Sequence, residues 1–193
     1  MKFALASANP GKILEMREIL GKLGFEVLTR DELGIDIVVE ETGVTFLENA
    51  LLKAEAICKA SGLAAIADDS GLCVDALGGK PGVYTSSFGG ENLSDSERNA
   101  YLLEKMKNVE HRSAKFVCNI VCVFPDGNKL TAVGECLGEI LTAPRGSGGF
   151  GYDPVFRAID KDKSMAELPS DEKNAISHRG IALKRFAELI AQY

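Results

Sequence analysis

Apolar residues follow two alternating patterns in the first half of the chain. Short apolar runs at 3–6 and 64–67, and the mainly apolar segment at 25–28, are typical of strands. Over 13–23 and 46–60, apolar residues recur every three or four positions, which indicates amphipathic helices. Strands that alternate with helices in this way predict an α/β fold.

The second half adds a hairpin and a helical end. Apolar runs at 116–124 and 130–141 flank the Pro-Asp-Gly-Asn turn at 125–128, which predicts antiparallel strands. The periodicity over 94–106 and from 170 onward predicts further helices. Together with an extended segment expected at 35–39, the pattern predicts an α/β protein with a mixed sheet.

Local signals place the starts of two helices. Ser7 or Asn9 can cap the first helix, and Pro10 suits its first turn. Thr45-x-x-Glu48 matches a capping box and opens the second helix. Asn49 and Lys53 are spaced i, i+4 in that helix, so they share one face.

Composition limits the possible partners. The chain has 193 residues, of which 46% are hydrophobic, enough for one sizeable core or two closely joined lobes. The net charge of −6 argues against a polymeric nucleic acid, whose phosphates need a basic surface, but it leaves small polyanions open. No apolar run has the length of a signal peptide or a membrane span, so we expect a cytoplasmic protein without a membrane partner.

Cysteine and histidine usage excludes several kinds of site. The five cysteines form no C-x-x-C pair, so neither a disulfide framework nor a zinc ribbon is indicated. Small buried thiols in a reducing compartment are the expected state. With two histidines in the chain, a histidine-rich metal centre is also excluded.

The pair Asp68-Asp69 is the strongest chemical signal. It directly follows an apolar run and precedes Ser70-Gly71. An ionised carboxylate is costly to bury without a partner, and hard oxygen ligands suit Mg²⁺. If the segments are neighbours, a metal ion can bridge one carboxylate of Asp68-Asp69 and one of Glu40-Glu41. A solvated acidic turn is the alternative.

A second candidate is the loop between the first strand and the first helix. Backbone N–H groups and the helix dipole at such a position favour an anion, and Lys12 adds a positive charge. Lys53, on the helix between the two acidic segments, could face the same cleft as their carboxylates, or it could be a solvated helix lysine. The loop lacks the Walker A pattern, and an ordinary strand-to-helix turn is the alternative. Its residues are Ser7, Ala8, Asn9, Pro10, Gly11 and Lys12.

Two later segments offer groups that could contact a nucleobase. Phe150-Gly151-Tyr152-Asp153 combines aromatic rings with glycines, and a base can stack on such a ring. His178 and Arg179 can both donate hydrogen bonds to a carbonyl oxygen. Aromatic residues packed under a surface loop and a structural histidine are the alternatives.

Taken together, the motifs of this chain resemble the inosine triphosphate pyrophosphatase family, also called Ham1-like. They occur in family order and span nearly the whole chain. The matching motifs lie at 7–12, 40–54, 67–77, 81–84, 148–154, 166–168, 172–174 and 177–180.

The resemblance implies a fold and an activity. Residues 1–193 would form a single two-lobed domain, with a long central mixed sheet flanked by helices and a cleft between the lobes. The enzyme would hydrolyse ITP, dITP or XTP to the monophosphate and pyrophosphate, which cleanses the nucleotide pool. The resemblance further implies Mg²⁺ as the cofactor and a homodimer.

It also implies roles for individual residues. Asp69 would accept the proton and bind the metal, together with Glu40. The phosphate-binding segment would be the loop at 7–12. Further substrate contacts would come from Lys53, Ser70, Phe150, Gly151, Tyr152, Asp153, Lys173, His178 and Arg179.

One segment departs from the family pattern. Many bacterial members continue the Pro-Gly-Val-Tyr segment with Ser-Ala-Arg, whereas this chain reads Thr85-Ser86-Ser87-Phe88. A pyrophosphatase for pyrimidine or modified nucleotides and a non-catalytic nucleotide-binding module remain alternatives. A haloacid-dehalogenase-like phosphatase is disfavoured because its D-x-D-x-T motif is absent.

Overall fold

The computed structural model describes all of residues 1–193 and contains six strands and five α-helices. The strands are β1 (Lys2–Leu5), β2 (Glu26–Thr29), β3 (Ala65–Val74), β4 (Ser113–Val123), β5 (Lys129–Ile140) and β6 (Phe156–Ala158). The helices are α1 (Pro10–Lys22), α2 (Phe46–Ser61), α3 (Asp95–Lys105), α4 (Ser170–Ile176) and α5 (His178–Ile190). None of these helices is both long and apolar enough to cross a bilayer.

The six strands form one sheet in the order β2-β1-β3-β4-β5-β6. Strand β1 pairs parallel to both β2 and β3, whereas β5 pairs antiparallel to β6. The prediction of an α/β protein with a mixed sheet is therefore confirmed. The predicted hairpin is β4 and β5, and its turn is closed by the N–H of Phe124 donating to the carbonyl of Asn128 at 2.9 Å.

The chain divides into two compact units. Unit 1 comprises Met1–Asp69, Cys118–Gly134 and His178–Tyr193. Unit 2 comprises Ser70–Val117 and Glu135–Ser177. Strands β3, β4 and β5 contribute residues to both units.

In unit 1, successive residues of β3 belong to different apolar clusters. Ala64 and Ile66 pack with α1 and α5, in a cluster that includes Met16 and Phe186. Ala65 and Ala67 pack in another cluster with α2. This alternation is the period-2 geometry of a strand, and it determines where the next two side chains of β3 point.

Unit 2 has its own apolar core. Leu72 and Val74 of β3 pack there with Leu102 of α3 and Phe156 of β6. The rings of Phe116 and Phe156 meet edge to face with centroids 4.6 Å apart.

The predicted helix starts are confirmed in detail. Asn9 caps α1, where its side chain accepts from the N–H of Lys12 at 3.1 Å, and Pro10 occupies the first turn. Thr45 and Glu48 form the expected capping box of α2. Ser94 forms a second capping box with Glu97 at the start of α3.

Two expectations about the elements were wrong. Residues 35–39 form no strand, and the N–H of Ile35 closes a turn by donating to the carbonyl of Arg30. Strand β3 does not end at Asp68 but continues to Val74, because cationic side chains compensate its carboxylates. The helices predicted from 170 onward are confirmed as α4 and α5, with Ser177 in an extended backbone between them.

Candidate active site

Asp68 continues the row of Ala64 and Ile66, so its carboxylate faces the side of the sheet covered by α1 and α5. Lys12 of α1 places its Nζ 3.0 Å from the Oδ2 of Asp68. Arg179 of α5 places its Nη2 2.9 Å from the same oxygen. Arg179 also forms an ion pair with Glu15 of α1. The carboxylate that directly follows the apolar run in the sequence is therefore the centre of a buried ionic network.

This network keeps Asp68 ionised. Burial disfavours the charged carboxylate, but Lys12 and Arg179 outweigh that cost and hold the pKa of Asp68 well below its usual range. Arg179 is 1% exposed, and its two carboxylate partners raise its pKa against the effect of burial. These ion pairs connect α1, β3 and α5 within unit 1.

Asp69 continues the other row, after Ala65 and Ala67, and its carboxylate meets α2. The Nδ2 of Asn49 donates to its Oδ2 at 3.4 Å, and the Nζ of Lys53 lies 3.3 Å from its Oδ1. The i, i+4 spacing of Asn49 and Lys53 thus supplies one donor to each oxygen of one carboxylate. Because a carboxylate offers about four acceptor positions, both oxygens retain capacity for water or a cation.

The protonation equilibrium of Asp69 differs from that of its neighbour. Burial raises the pKa of Asp69, and the carboxylates of Glu41 and Asp68 raise it further, while Lys53 and Lys12 oppose the change. A raised pKa makes a carboxylate a better proton acceptor. The surroundings of the two adjacent aspartates therefore act in opposite directions: those of Asp68 favour the ionised carboxylate, whereas those of Asp69 favour proton uptake.

Glu41, rather than Glu40, makes the observed contact in the acidic loop. Its Oε2 lies 3.3 Å from the Nζ of Lys53, which also contacts Asp69. Glu40 lies in the same loop with an exposed side chain. Its predicted part in binding a metal ion stays a prediction.

The donor set around Asp69 fits a hard divalent cation. The structure contains no group of three or more His, Cys, Asp or Glu side chains arranged to hold a metal ion. Mg²⁺ needs no such cage, since it commonly binds through one or two carboxylates and completes its shell with water and substrate oxygens. The network has more carboxylates than cations. Its three cations, Lys12, Lys53 and Arg179, pair with four carboxylates, which are those of Glu15, Glu41, Asp68 and Asp69.

The loop at 7–12 connects β1 to the start of α1. The Oγ of Ser7 accepts from the N–H of Asn9 at 3.3 Å, which shapes the turn before α1. Ala8, Asn9 and Pro10 are exposed. Lys12 reaches from the first turn of α1 to Asp68, so the structure places the end of this loop beside the acidic pair.

Unit 2 brings together Phe150 and Asp153 with Lys173, a residue that the family resemblance implies as a separate substrate contact. The Nζ of Lys173 lies 2.5 Å from the Oδ2 of Asp153 and 4.9 Å from the centroid of the Phe150 ring. The N–H of Phe150 donates to the same carboxylate oxygen at 2.8 Å. Gly149 has a φ of +69°, and a Cβ there would overlap the Asp153 carboxylate.

Helix α3 holds the same segment through the backbone of one residue, Gly151. Asp95 accepts from the N–H of Gly151 at 2.6 Å, and Asn99 donates to the carbonyl of Gly151 at 3.0 Å. The hydroxyl of Tyr152 donates to the carbonyl of Thr85 at 3.0 Å. Thr85 begins the segment that departs from the family pattern, and its Oγ1 accepts from the N–H of Leu72 at 3.1 Å.

The remaining predicted residues lie in regular elements. Ser70 follows Asp69 in β3 and is buried. His178 is the first residue of α5 and is 7% exposed. The predicted contacts of Ser70, His178 and Arg179 with a substrate stay predictions.

Sequence reasoning missed one residue of the ionic network and one contact of Asp69. Glu15 is buried beside Arg179, and its i, i+3 spacing from Lys12 was the available signal. Asn49 was noted for sharing a face with Lys53, but its contact with Asp69 depends on the packing of α2 against β3.

Comparison with known proteins identifies relatives along nearly the whole chain. The model of the Ham1 family matches residues 3–189. The dITP/XTP pyrophosphatase of a Thermus thermophilus strain is 50% identical over 190 residues, which cover 97% of this chain and 91% of the relative. The dITP/XTP pyrophosphatase of Bacillus subtilis 168 is 47% identical over 188 residues, which cover 96% and 95% of the two chains.

A solved structure agrees with these sequence matches. The HAM1 protein from Coxiella burnetii superposes with a TM-score of 0.89 at 41% identity, and the match covers 100% of both chains. Sequence and structure therefore lead to one conclusion, which is that this chain belongs to the Ham1 family.

Proposed function

We propose that this protein hydrolyses the non-canonical purine nucleoside triphosphates dITP, ITP and XTP to the monophosphate and pyrophosphate. The observation that carries the proposal is Asp69, a buried carboxylate of raised pKa that α2 holds through Asn49 and Lys53. Relatives with up to 50% identity that bear the name dITP/XTP pyrophosphatase support the choice of substrate.

In this reaction a water molecule attacks the α-phosphorus. A bond forms between the water oxygen and that phosphorus, and the bond to the bridging oxygen of the β-phosphate breaks, which releases pyrophosphate. Asp69 accepts the proton that the water loses. General-base catalysis of this kind contributes about 10²–10⁴-fold to the rate.

Cations in unit 1 suit the charge of the triphosphate. Lys12 and Lys53 lie beside the aspartates, and the exposed start of α1 is the positive end of the helix dipole. Preorganised positive groups stabilise the charge that develops on the oxygens during phosphoryl transfer. We assign Ser7, Ala8, Asn9, Pro10, Gly11 and Lys12 to phosphate binding.

Mg²⁺ is the proposed cofactor, with Glu40 and Asp69 as the ligands that the family resemblance implies. When bound, the ion would neutralise phosphate charge and stabilise the leaving pyrophosphate. The support for this assignment is the oxygen-rich donor set around Asp69, to which Glu41 also belongs.

Selectivity for these bases has a simple chemical origin. Hypoxanthine and xanthine carry an acceptor oxygen at C6, whereas adenine carries a donor amino group. A protein donor that faces this position would stay unpaired against adenine, at a cost of about 1–3 kcal/mol for each buried group. The proposed base contacts are Phe150, Gly151, Tyr152, Asp153, His178 and Arg179. Lys173 is proposed as a further phosphate or substrate contact.

An assay of a nucleotide panel tests the proposal. Pyrophosphate release is measured from dITP, XTP, dATP, dGTP, dCTP and dTTP, with Mg²⁺ present and with the metal removed by EDTA. We expect the highest kcat/KM for dITP and XTP and a loss of turnover in EDTA. Preferential hydrolysis of a pyrimidine triphosphate would overturn the substrate assignment, and binding of dITP without turnover would indicate a non-catalytic nucleotide-binding module.

The homodimer implied by the family resemblance stays a prediction. Sedimentation velocity tests it, since a dimer has twice the mass of the 20.6 kDa chain.

A further inference from the structure

Asn49 is a buried polar residue that the proposed reaction does not use directly. It lies in the first turns of α2 with 4% of its surface exposed. Its amide has one partner on each side, the backbone of Gly43 and the carboxylate of Asp69. A buried amide bonded in this way has a fixed orientation.

The chemistry of the two partners determines which end of the amide faces each of them. The Gly43 N–H is a donor, so the atom that faces it, at 2.8 Å, is the acceptor Oδ1. The Nδ2 is therefore directed to Asp69, where it lies 3.4 Å from Oδ2. The contact with Gly43 thus determines that Asp69 receives a donor rather than a second acceptor.

The backbone at Gly43 lies so close to α2 that there is no room for a side chain at this position. A Cβ at that position would lie 2.6 Å from the Oδ1 of Asn49 and 2.6 Å from the Cβ of Glu48. Any side chain there would push the loop away from α2. The next two backbone amides, of Val44 and Thr45, donate to the Oε2 of Glu48 at 2.7 and 3.1 Å. The start of α2 therefore holds both the acidic loop at 40–43 and Asp69.

From this arrangement we infer that Asn49 is a positioning residue, which orients the Asp69 carboxylate for catalysis and ties it to the loop that carries Glu40 and Glu41. With Lys53 on the other oxygen, two donors of one rigid helix determine the plane of the carboxylate. The inference rests on the proposed function, because it assigns Asn49 a role in the reaction of Asp69.

Two substitutions separate the two hydrogen bonds. Asn49→Asp keeps an acceptor for the Gly43 N–H but replaces the donor that faces Asp69 with a second carboxylate oxygen. Asn49→Leu has a similar volume and removes both bonds. Glu55→Gln is the control on the same helix, since it changes an exposed side chain that pairs with Lys129.

Kinetics provide the first measurement. Loss of a residue that orients a reactive group typically costs about 10–100-fold in activity. We expect kcat for dITP to fall by about that factor in both Asn49 variants, with KM within about threefold of the wild-type value and Glu55→Gln unchanged. An Asn49→Asp variant with wild-type kcat would overturn the inference and leave Asn49 as a loop anchor only.

Amide hydrogen exchange at Gly43 provides a second measurement, independent of activity. We expect wild-type protection of this amide in Asn49→Asp and faster exchange in Asn49→Leu, because only leucine removes the acceptor. Equal protection in all variants would contradict the assigned amide orientation. Wild-type protein that fails to hydrolyse dITP would overturn the proposed function, and the exchange result would still decide the contact between Asn49 and Gly43.

A double substitution tests whether Asn49 acts through Asp69. Residues that act as one unit give strongly non-additive effects. In an Asp69→Asn background, Asn49→Leu should therefore change the residual kcat by less than about threefold. A further loss as large as in the wild-type background would show that Asn49 acts independently of Asp69 and would overturn the inference.

Discussion

The Nη2 of Arg179 lies 2.9 Å from the Oδ2 of Asp68, and both side chains are almost completely buried. These residues are 111 positions apart in the sequence, so the pair joins α5 to the centre of β3. Asp68 also contacts Lys12, and Arg179 also contacts Glu15, which makes the pair part of a network. Removing the charge of Arg179 therefore tests how much this network contributes to the stability of unit 1.

Arg179→Met keeps a long side chain but leaves buried carboxylates without their cation. We expect it to lower the free energy of unfolding by about 3–5 kcal/mol, measured by urea denaturation. Arg17→Met is the matched control, because Arg17 pairs with Glu32 at the surface and should lose less than about 1 kcal/mol. Equal losses of unfolding free energy in the two variants would show that the buried pair stabilises the protein no more than the surface pair does.

The contact of Arg179 with the base is a separate prediction. If Arg179 also donates to a 6-oxo base, its loss lowers the ratio of kcat/KM for dITP over dATP. Because Arg179→Met perturbs Asp68, this ratio is measured on folded protein well below the denaturation midpoint. An unchanged ratio would assign Arg179 to the ionic network alone.

Asp69→Asn retains the shape of the side chain but removes the proton acceptor. We expect kcat for dITP to fall by about 10²–10⁴-fold, while the thermal midpoint stays close to that of the wild type. Asp162→Asn, at an exposed position, is the control and should keep full activity. Wild-type turnover by Asp69→Asn would remove this residue from the reaction.

Two glycine-to-alanine substitutions should have opposite effects. At Gly134 a Cβ would overlap the backbone of His178 and Ala182, so Gly134→Ala should destabilise the contact between β5 and α5. At Gly21, in α1, a Cβ would meet nothing within 4 Å, so Gly21→Ala should stabilise the protein by about 0.4–1 kcal/mol. Thermal denaturation measures both, and a stabilising Gly134→Ala would contradict the close approach.

Glu32 should contribute stability at neutral pH that is lost in acid. Hydrogen bonds from the backbone of Thr29 and from Arg17 lower its pKa to about 2. A carboxylate with a lowered pKa stabilises the fold above its unfolded-state pKa, and this contribution disappears as the pH falls through the folded-state value. Glu32→Gln should therefore lower the urea midpoint at pH 7, and its difference from the wild type should shrink between about pH 4 and pH 2.

Glu26→Gln is the control for that measurement, since it removes an exposed carboxylate that pairs with Lys2. A difference between wild type and Glu32→Gln that stays constant down to about pH 2 would contradict the lowered pKa.

The thiols of Cys118 and Cys122 should be inert in the folded protein. Both are fully buried, and burial raises the pKa of each to about 12. Cys73 is only half-buried, so iodoacetamide at pH 8 should modify it first. Peptide mass spectrometry follows the order of reaction, and all five cysteines should react in urea. Early modification of Cys118 would contradict the packing of β4.

Much of the local structure could be predicted from the sequence. The caps at Asn9 and Thr45 and the turn at 125–128 depend on residues a few positions apart, so they are visible in the chain itself. The helix spacing of Asn49 and Lys53 is local in the same sense. The family could likewise be identified from the order of short motifs, and the match over residues 3–189 confirms it.

The partners of the two central aspartates could not be predicted in this way. The sequence indicated two carboxylates after an apolar run and left a solvated turn open. In the structure β3 continues through both, and its alternation directs Asp68 to Lys12 and Arg179 and Asp69 to α2.

The sequence by itself determined most of the helices and strands and the motifs that the chain carries, because those signals act over a few neighbouring positions. Only the tertiary structure decided that Asp68 is a buried structural anion and that Asp69 is held by Asn49 and Lys53. The physical reason is that a carboxylate takes its charge state from cations nearby in space. For Asp68 one of those cations, Arg179, is 111 positions away along the chain.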